Sequence, residues 1–159
     1  MKVLPSCLLC VFLLCICVAP AFAGPPFFTD DPEPVEYRHY EFYLFSTVDR
    51  ASDGVDVAVP AFEFNYGAAP NLQLHVVAPL ALSAKFEGPT TYGIGDIELG
   101  AKYRFIQEKG SRPMVGTFVM VEIPSGDASR ELGNGTTWLK IPIWIQKDLG
   151  HGWQTYGGG

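Results

Sequence analysis

The ten residues from Asp96 to Phe105, DIELGAKYRF, place Asp96, Glu98, Lys102 and Arg104 in one phase of a two-residue period and Ile97, Leu99, Ala101, Tyr103 and Phe105 in the other. Period two belongs to a β-strand, whose successive side chains point to opposite faces. A helix would scatter these four charges around its circumference. A strand gathers both signs on one face and leaves the other wholly apolar, so the segment separates two unlike surroundings. In a soluble sandwich the apolar face meets a second sheet; in an outer-membrane barrel it meets lipid while the charged face lines the lumen.

The start of the chain bears on that choice. Lys2 precedes an apolar run from Leu8 to Val18 and then Ala21-Phe22-Ala23, a small-x-small cleavage signal, so residues 1–23 read as a secretory signal peptide. Their apolar core is shorter than the roughly 20 residues of a spanning helix, and no later stretch is long and apolar enough to be one. All four cysteines, Cys7, Cys10, Cys15 and Cys17, fall in this segment. The exported chain is therefore expected to have neither disulfides nor thiolate metal sites. The whole sequence has 17 acidic against 11 basic side chains, and cleavage would remove Lys2 from the latter, which argues against nucleic acid as a partner. About 136 residues remain after cleavage, enough for one domain or a small closed barrel.

Gly24 to Pro34, GPPFFTDDPEP, contains four prolines and three acidic residues; it predicts an extended leader over 24–37. Alternating segments follow over 38–159. Arg38 to Val48 is the first. Val55 to Tyr66 sets Phe62, Phe64 and Tyr66 against Glu63 and Asn65, with Pro60 marking an edge or a bulge. The next strand sets Leu72, Leu74, Val76, Ala78, Leu80 and Leu82 against Gln73, His75, Val77, Pro79 and Ala81. A polar loop is expected over Ser83 to Thr91. Pro113 to Ile123 sets β-branched residues against Met114, Phe118, Met120 and Glu122, and Thr136 to Lys147 sets Leu139, Ile141, Ile143 and Ile145 against Trp138, Lys140, Trp144 and Gln146. A further strand starts after Gly152.

No helical period competes, and the strands recur about every 16 to 22 residues, wider than the spacing usual in sandwiches. Strands of about ten residues suit an oblique bilayer crossing. Gly67 to Asn71 and Asp148 to Gly152 are short, while Ser83 to Thr91 and Pro124 to Gly135 are long, as expected of periplasmic turns and external loops. Tyr40, Tyr66, Tyr103, Phe105, Trp138 and Trp153 near strand ends suit interfacial girdles. The expected fold is all-β, an antiparallel up-and-down outer-membrane-type barrel. Six strands plus a seventh running into Gly157-Gly158-Gly159 is an unfinished set for a closed barrel, so a chain truncated at its C-terminus is expected.

Thr29-Asp30-Asp31-Pro32, Asn65-Tyr66-Gly67, Gly93 to Phe105, and Pro124-Ser125-Gly126-Asp127 with Gly133-Asn134-Gly135 together resemble the outer-membrane transporter-like family named after the meta-pathway of phenol degradation. The resemblance covers essentially the whole exported chain and is strongest in GIGDIELGAKYRF followed by the PSGD loop. It implies a β-barrel, with members usually longer than this chain.

The functional expectation is a barrel that passes or binds small molecules, aromatic or apolar ones included, through a lumen lined by Glu63, His75, Asp96, Glu98, Lys102, Arg104, Glu122 and Lys140. The partners implied are outer-membrane lipid and a small solute. The competing structural reading is that these charges pair across strands and fill a small barrel. No nucleophile elbow, His-x-x-x-His pair or paired carboxylates at a telling spacing suggests catalysis, so no enzyme activity, cofactor or metal is expected. The glycine-rich loop Pro124 to Gly135 is expected to be mobile. A soluble periplasmic barrel or sandwich holding an apolar ligand would bury Ile97, Leu99 and Tyr103; a structural envelope protein without transport is the third reading.

Overall fold

Alternation of the kind seen at 96–105 builds most of the chain into strands. A computed structural model describes residues 30–159; the signal peptide expected over 1–23 and the first part of the expected leader lie outside the described residues. The strands are β1 (Tyr40–Arg50), β2 (Gly54–Ala69), β3 (Leu72–Lys85), β4 (Thr90–Ile94), β5 (Ile97–Ile106), β6 (Met114–Ile123), β7 (Trp138–Lys140), β8 (Ile143–Gly150) and β9 (Trp153–Gly158). They form one antiparallel meander ordered β1-β2-β3-β5-β6-β8-β9, with β4 also on β3 and β7 also on β6. The sheet curls into a half-barrel, so the all-β, barrel-like antiparallel fold is the one the periodicity indicates.

Two differences from the sequence reading have local causes. The loop expected over Ser83 to Thr91 is largely strand, because β3 continues to Lys85 and pairs with β4 from Leu80↔Ile94 to Ala84↔Thr90. Alternation is muted there since the inner positions Ala81, Ser83 and Gly93 are small. From Leu80↔Ile94 to Val77↔Glu98 the register slips by one residue at Gly95 and Asp96, a bulge that keeps Ile94 and Leu99 on the same outer face. The segment Thr136 to Lys147 is cut into β7 and β8 at Ile141-Pro142, where proline cannot donate to the ladder, while the pairing with β6 stays in register from Met120↔Lys140 to Thr117↔Ile143. Pro60 lies in a register shift between Ala58 and Ala61 on the β3 side, the bulge its presence predicts.

The two faces of the sheet are opposite in character. Outward-pointing apolar side chains are widely exposed, among them Leu44 at 62%, Leu99 at 40%, Tyr103 at 49% and Ile141 at 61%. Inward lie Asn65, Gln73, His75, Ser83, Lys102 and Gln146, all buried, with a small apolar cluster of Phe118, Met120 and Trp144. Polar groups inside and apolar groups outside reverse the arrangement of a water-soluble domain. Tyr40, Tyr66, Tyr103, Phe105 and Trp153 are exposed toward the end carrying the turns at 70–71, 107–113 and 151–152. Trp138 differs, because its pairing with Glu122 puts it on the inner face.

Candidate functional site

The inner face is occupied at both ends by the chain itself. At the turn end the leader runs across the strands without joining the ladder. Pro32 is among the most completely buried side chains, and Pro34 is also buried. Two glycines make room for this segment: a Cβ at Gly67 would fall on the carbonyl oxygen of Glu36, and one at Gly116 would stand 3.0 Å from the Pro32 ring. Asp30 Oδ1 accepts from Lys102 Nζ at 3.1 Å, and Asp31 Oδ1 stands 3.8 Å from the same ammonium. Burial, partly offset by the Lys102 charge, pushes the Asp31 carboxyl above the ordinary aspartate range.

A hydrogen-bonded relay begins at the leader backbone. Val35 N–H donates to Gln73 Oε1 at 2.9 Å. A backbone N–H can only donate, which fixes the Gln73 amide with its nitrogen toward Asn65. Gln73 Nε2 then donates to Asn65 Oδ1 at 2.9 Å, and Asn65 Nδ2 to Glu63 Oε1 at 2.7 Å. Asn65 Oδ1 also faces His75 Nδ1 at 2.7 Å, so Nδ1 is the donor; Nε2 lies 3.0 Å from Glu98 Oε1. The His75 ring meets Phe118 edge to face at 5.0 Å, and Lys102 Nζ sits 5.0 Å from the centre of that same ring.

Glu63, His75, Glu98 and Lys140 therefore line one cavity of about 450 Å³ with Asp30, Asp31, Phe118, Met120, Trp144 and Tyr156. Lys102 adjoins it through Asp30 and Phe118. Among the described residues, Trp144 Nε1 is the one buried side-chain nitrogen or oxygen without a hydrogen-bond partner.

The other three residues expected in the lumen point inward but hold chain segments. Asp96 Oδ1 accepts from Gly126 N–H at 2.9 Å and Oδ2 from Asn134 N–H at 2.6 Å, and Glu122 accepts from Asn134 Nδ2 at 2.6 Å. A Cβ at Gly133 would collide with the Asp96 carboxylate. Arg104 donates through Nε and Nη2 to Asn71 Oδ1 at the opposite end.

Asp96 thereby ties down the long loop expected to be free. Leu132 of that loop is buried, and a Cβ at Gly93 would meet Leu132 Cδ1 at 2.9 Å. Arg130 and Glu131 reach back to β4 and β3 through Thr91 Oγ1, Tyr92 O, Ser83 Oγ and Lys85 Nζ. Asp127 caps the short turn Ala128–Arg130, and its hydrogen bonds from Ser129 hold its carboxyl below the ordinary aspartate range. Glu131 closes the turn in the left-handed region at φ 59°, a strained position for a side-chain-bearing residue.

Asn65, Gln73 and Trp144 are part of the inner face although the candidate set omitted them. Each lies in the same phase as a charged candidate, so alternation alone could have included them. The leader's place was not readable, because the Asp30–Lys102 contact joins residues 72 apart in sequence.

Comparison of the chain with protein-family models, curated proteins and solved structures yields no match. The fold and the inner face define it only as an antiparallel β half-barrel with a polar interior.

Proposed function

We propose that this protein is an outer-membrane β-barrel of transporter type, whose polar inner face binds or passes small solutes, aromatic and apolar ones included. The observation that carries this reading is the reversed polarity of the sheet: apolar residues such as Leu44, Leu99, Ile141 and Ile145 face out and are exposed, while His75, Lys102, Gln73 and Asn65 are buried inside. Such a surface would aggregate in water but matches the hydrocarbon of a bilayer. The soluble alternative requires Leu99 and Tyr103 to be covered, and both lie on the open face. The resemblance to the transporter-like family named after the meta-pathway of phenol degradation points the same way, as do the strand lengths.

A second reading, a structural envelope protein without transport, draws on the leader and the loop 124–135, which occupy the inner face at its two ends. The first test is to express the reading frame with its signal, fractionate the envelope and compare gel migration with and without boiling. A heat-modifiable band in the outer membrane is expected. A soluble periplasmic protein would overturn the proposal. Solute uptake by liposomes carrying the protein then separates the two envelope readings.

A further inference from the structure

Lys102 poses a specific physical problem. The residue is only 6% exposed, yet its ammonium needs an anion, because an unpaired buried charge is strongly disfavoured. Its cross-strand neighbours, Gln73 and Phe118, are neutral. The nearby strand carboxylates are engaged elsewhere: Glu98 at His75 Nε2, Glu63 at Asn65 Nδ2. Both anions paired with Lys102 come from the leader, through Asp30 and Asp31.

That leader is held by packing and side-chain contacts, not by the ladder of the sheet. Its backbone shares no ladder with the sheet; over 30–36 its polar links to strand side chains, besides the Lys102 pairs, are the bond from Val35 N–H to Gln73 and a long one, 3.4 Å, from Gln146 Nε2 to Glu33 Oε2. Burial in that seat disfavours the ionised form of Asp31, partly offset by the Lys102 charge, so its carboxyl pKa is raised. Beside the pair lies the cavity of about 450 Å³, in which Phe118, Met120, Trp144 and Tyr156 stand alongside the charged Glu63, Glu98 and Lys140, large enough for a monocyclic solute.

We propose that Lys102 is an exchangeable carboxylate site: Asp30 and Asp31 of the leader are its resident anions, and a small carboxylate-bearing solute with an aromatic or apolar body competes with them for it. The solute's carboxylate takes the position of Asp30 Oδ1 on Lys102 Nζ, its body lies along Phe118 and Trp144, and the leader lifts out of the inner face. The seat then serves as solute site and as plug at once. This deepens the reading of the inner face as a solute-accessible interior and rests on it.

The test uses the full chain folded in detergent, titrated with benzoate and with the uncharged benzamide, and followed by intrinsic tryptophan fluorescence. Benzoate is expected to bind and benzamide to give no saturable change. Asp30→Asn with Asp31→Asn removes the internal competitor and is expected to tighten benzoate about tenfold or more, since apparent affinity scales with the fraction of vacant sites. Lys102→Met is expected to abolish binding. A double leader variant that binds benzoate no better than the parent, or not at all, overturns the proposal, and so does a Lys102→Met protein that binds like the parent. Should Lys102→Met fail to give a heat-modifiable band, the double variant, which leaves the strands untouched, decides alone. A folded barrel without benzoate competition refutes the site and spares the barrel reading; competition in a soluble periplasmic protein does the reverse.

Discussion

Removing the Asp96 carboxylate should free the loop 124–135 without unfolding the sheet. Asp96 accepts two charge-assisted bonds, from the backbone N–H groups of Gly126 and Asn134. Such bonds contribute about 1.5 to 3 kcal/mol each, and the lower figure applies because one donor is half-buried and the other exposed. Asp96→Ala thus lowers the free energy of loop opening by about 3 kcal/mol, on the order of 100-fold in the open population. Asp96→Asn keeps one accepting oxygen and should lie about tenfold above the parent.

Trypsin reads this directly, since Arg130 lies within the loop, and when opening and closing are fast the cleavage rate follows the open population. Lys109 and Arg112, in the turn at the opposite end of the sheet, supply an internal control whose cleavage should not change. Cleavage after Arg130 within about twofold of the parent in Asp96→Ala would show that the loop is held by Leu132 and Glu131 and not by Asp96. Acceleration at all three sites would mean general unfolding, and would refute the reasoning as well.

Three further outcomes are expected. Leu99→Lys puts a charge on the outer face, at a cost of about 2 to 4 kcal/mol if the site lies near the bilayer midplane, and should lower the urea midpoint of the heat-modifiable form; an unchanged midpoint would deny that Leu99 meets lipid. Gly67→Val forces the leader off the Glu36 carbonyl contact, losing one neutral and one charge-assisted bond, about 2.5 kcal/mol together; tryptic cleavage after Arg38 should rise on the order of 50-fold, and continued protection would place the leader's hold elsewhere. Asp127 has a folded pKa below its ordinary value of 3.8, first because of its bond from Ser129. Its cap contribution is therefore present above that value and lost as pH falls below it through the depressed pKa. Hydrogen-exchange protection of 127–132 should drop in that acidic window in the parent and stay flat in Asp127→Asn.

Alternation made most of the sheet legible. The residues of Asp96 to Phe105 reveal two faces because their inner members are charged, and Leu139, Ile141, Ile143 and Ile145 reveal the outer face even though Pro142 interrupts the strand. The β4 segment was obscured because its inner face holds small residues, and contrast between faces is what a period measures. Inner-face membership of all eight lumen candidates followed from phase, but their division of labour did not. That Glu63, His75 and Glu98 meet at a cavity while Asp96, Glu122 and Arg104 fasten loops depends on the Gly95–Asp96 bulge and on where the leader and loop fold back. Both are long-range events: Ser83 reaches Glu131 across 48 positions. Local sequence carries no trace of such pairings.

The relay from Val35 to His75 carries direction as well as contact. Each amide in it has a distinct donor and acceptor end, and the first link is a peptide N–H that cannot reverse. While the leader is seated, its N–H dictates the orientation of Gln73, and Asn65 is held from two sides, by Gln73 and by the Glu63 carboxylate, with its Oδ1 toward His75 Nδ1. Once the leader leaves, the Gln73 amide loses that constraint and can rotate by half a turn, whereas Asn65 stays oriented by the Glu63 carboxylate. The Gln73 side-chain amide thus reports whether a peptide group on a separate stretch of chain is in place, and its ¹⁵N–¹H resonances would read that message without any label on the leader.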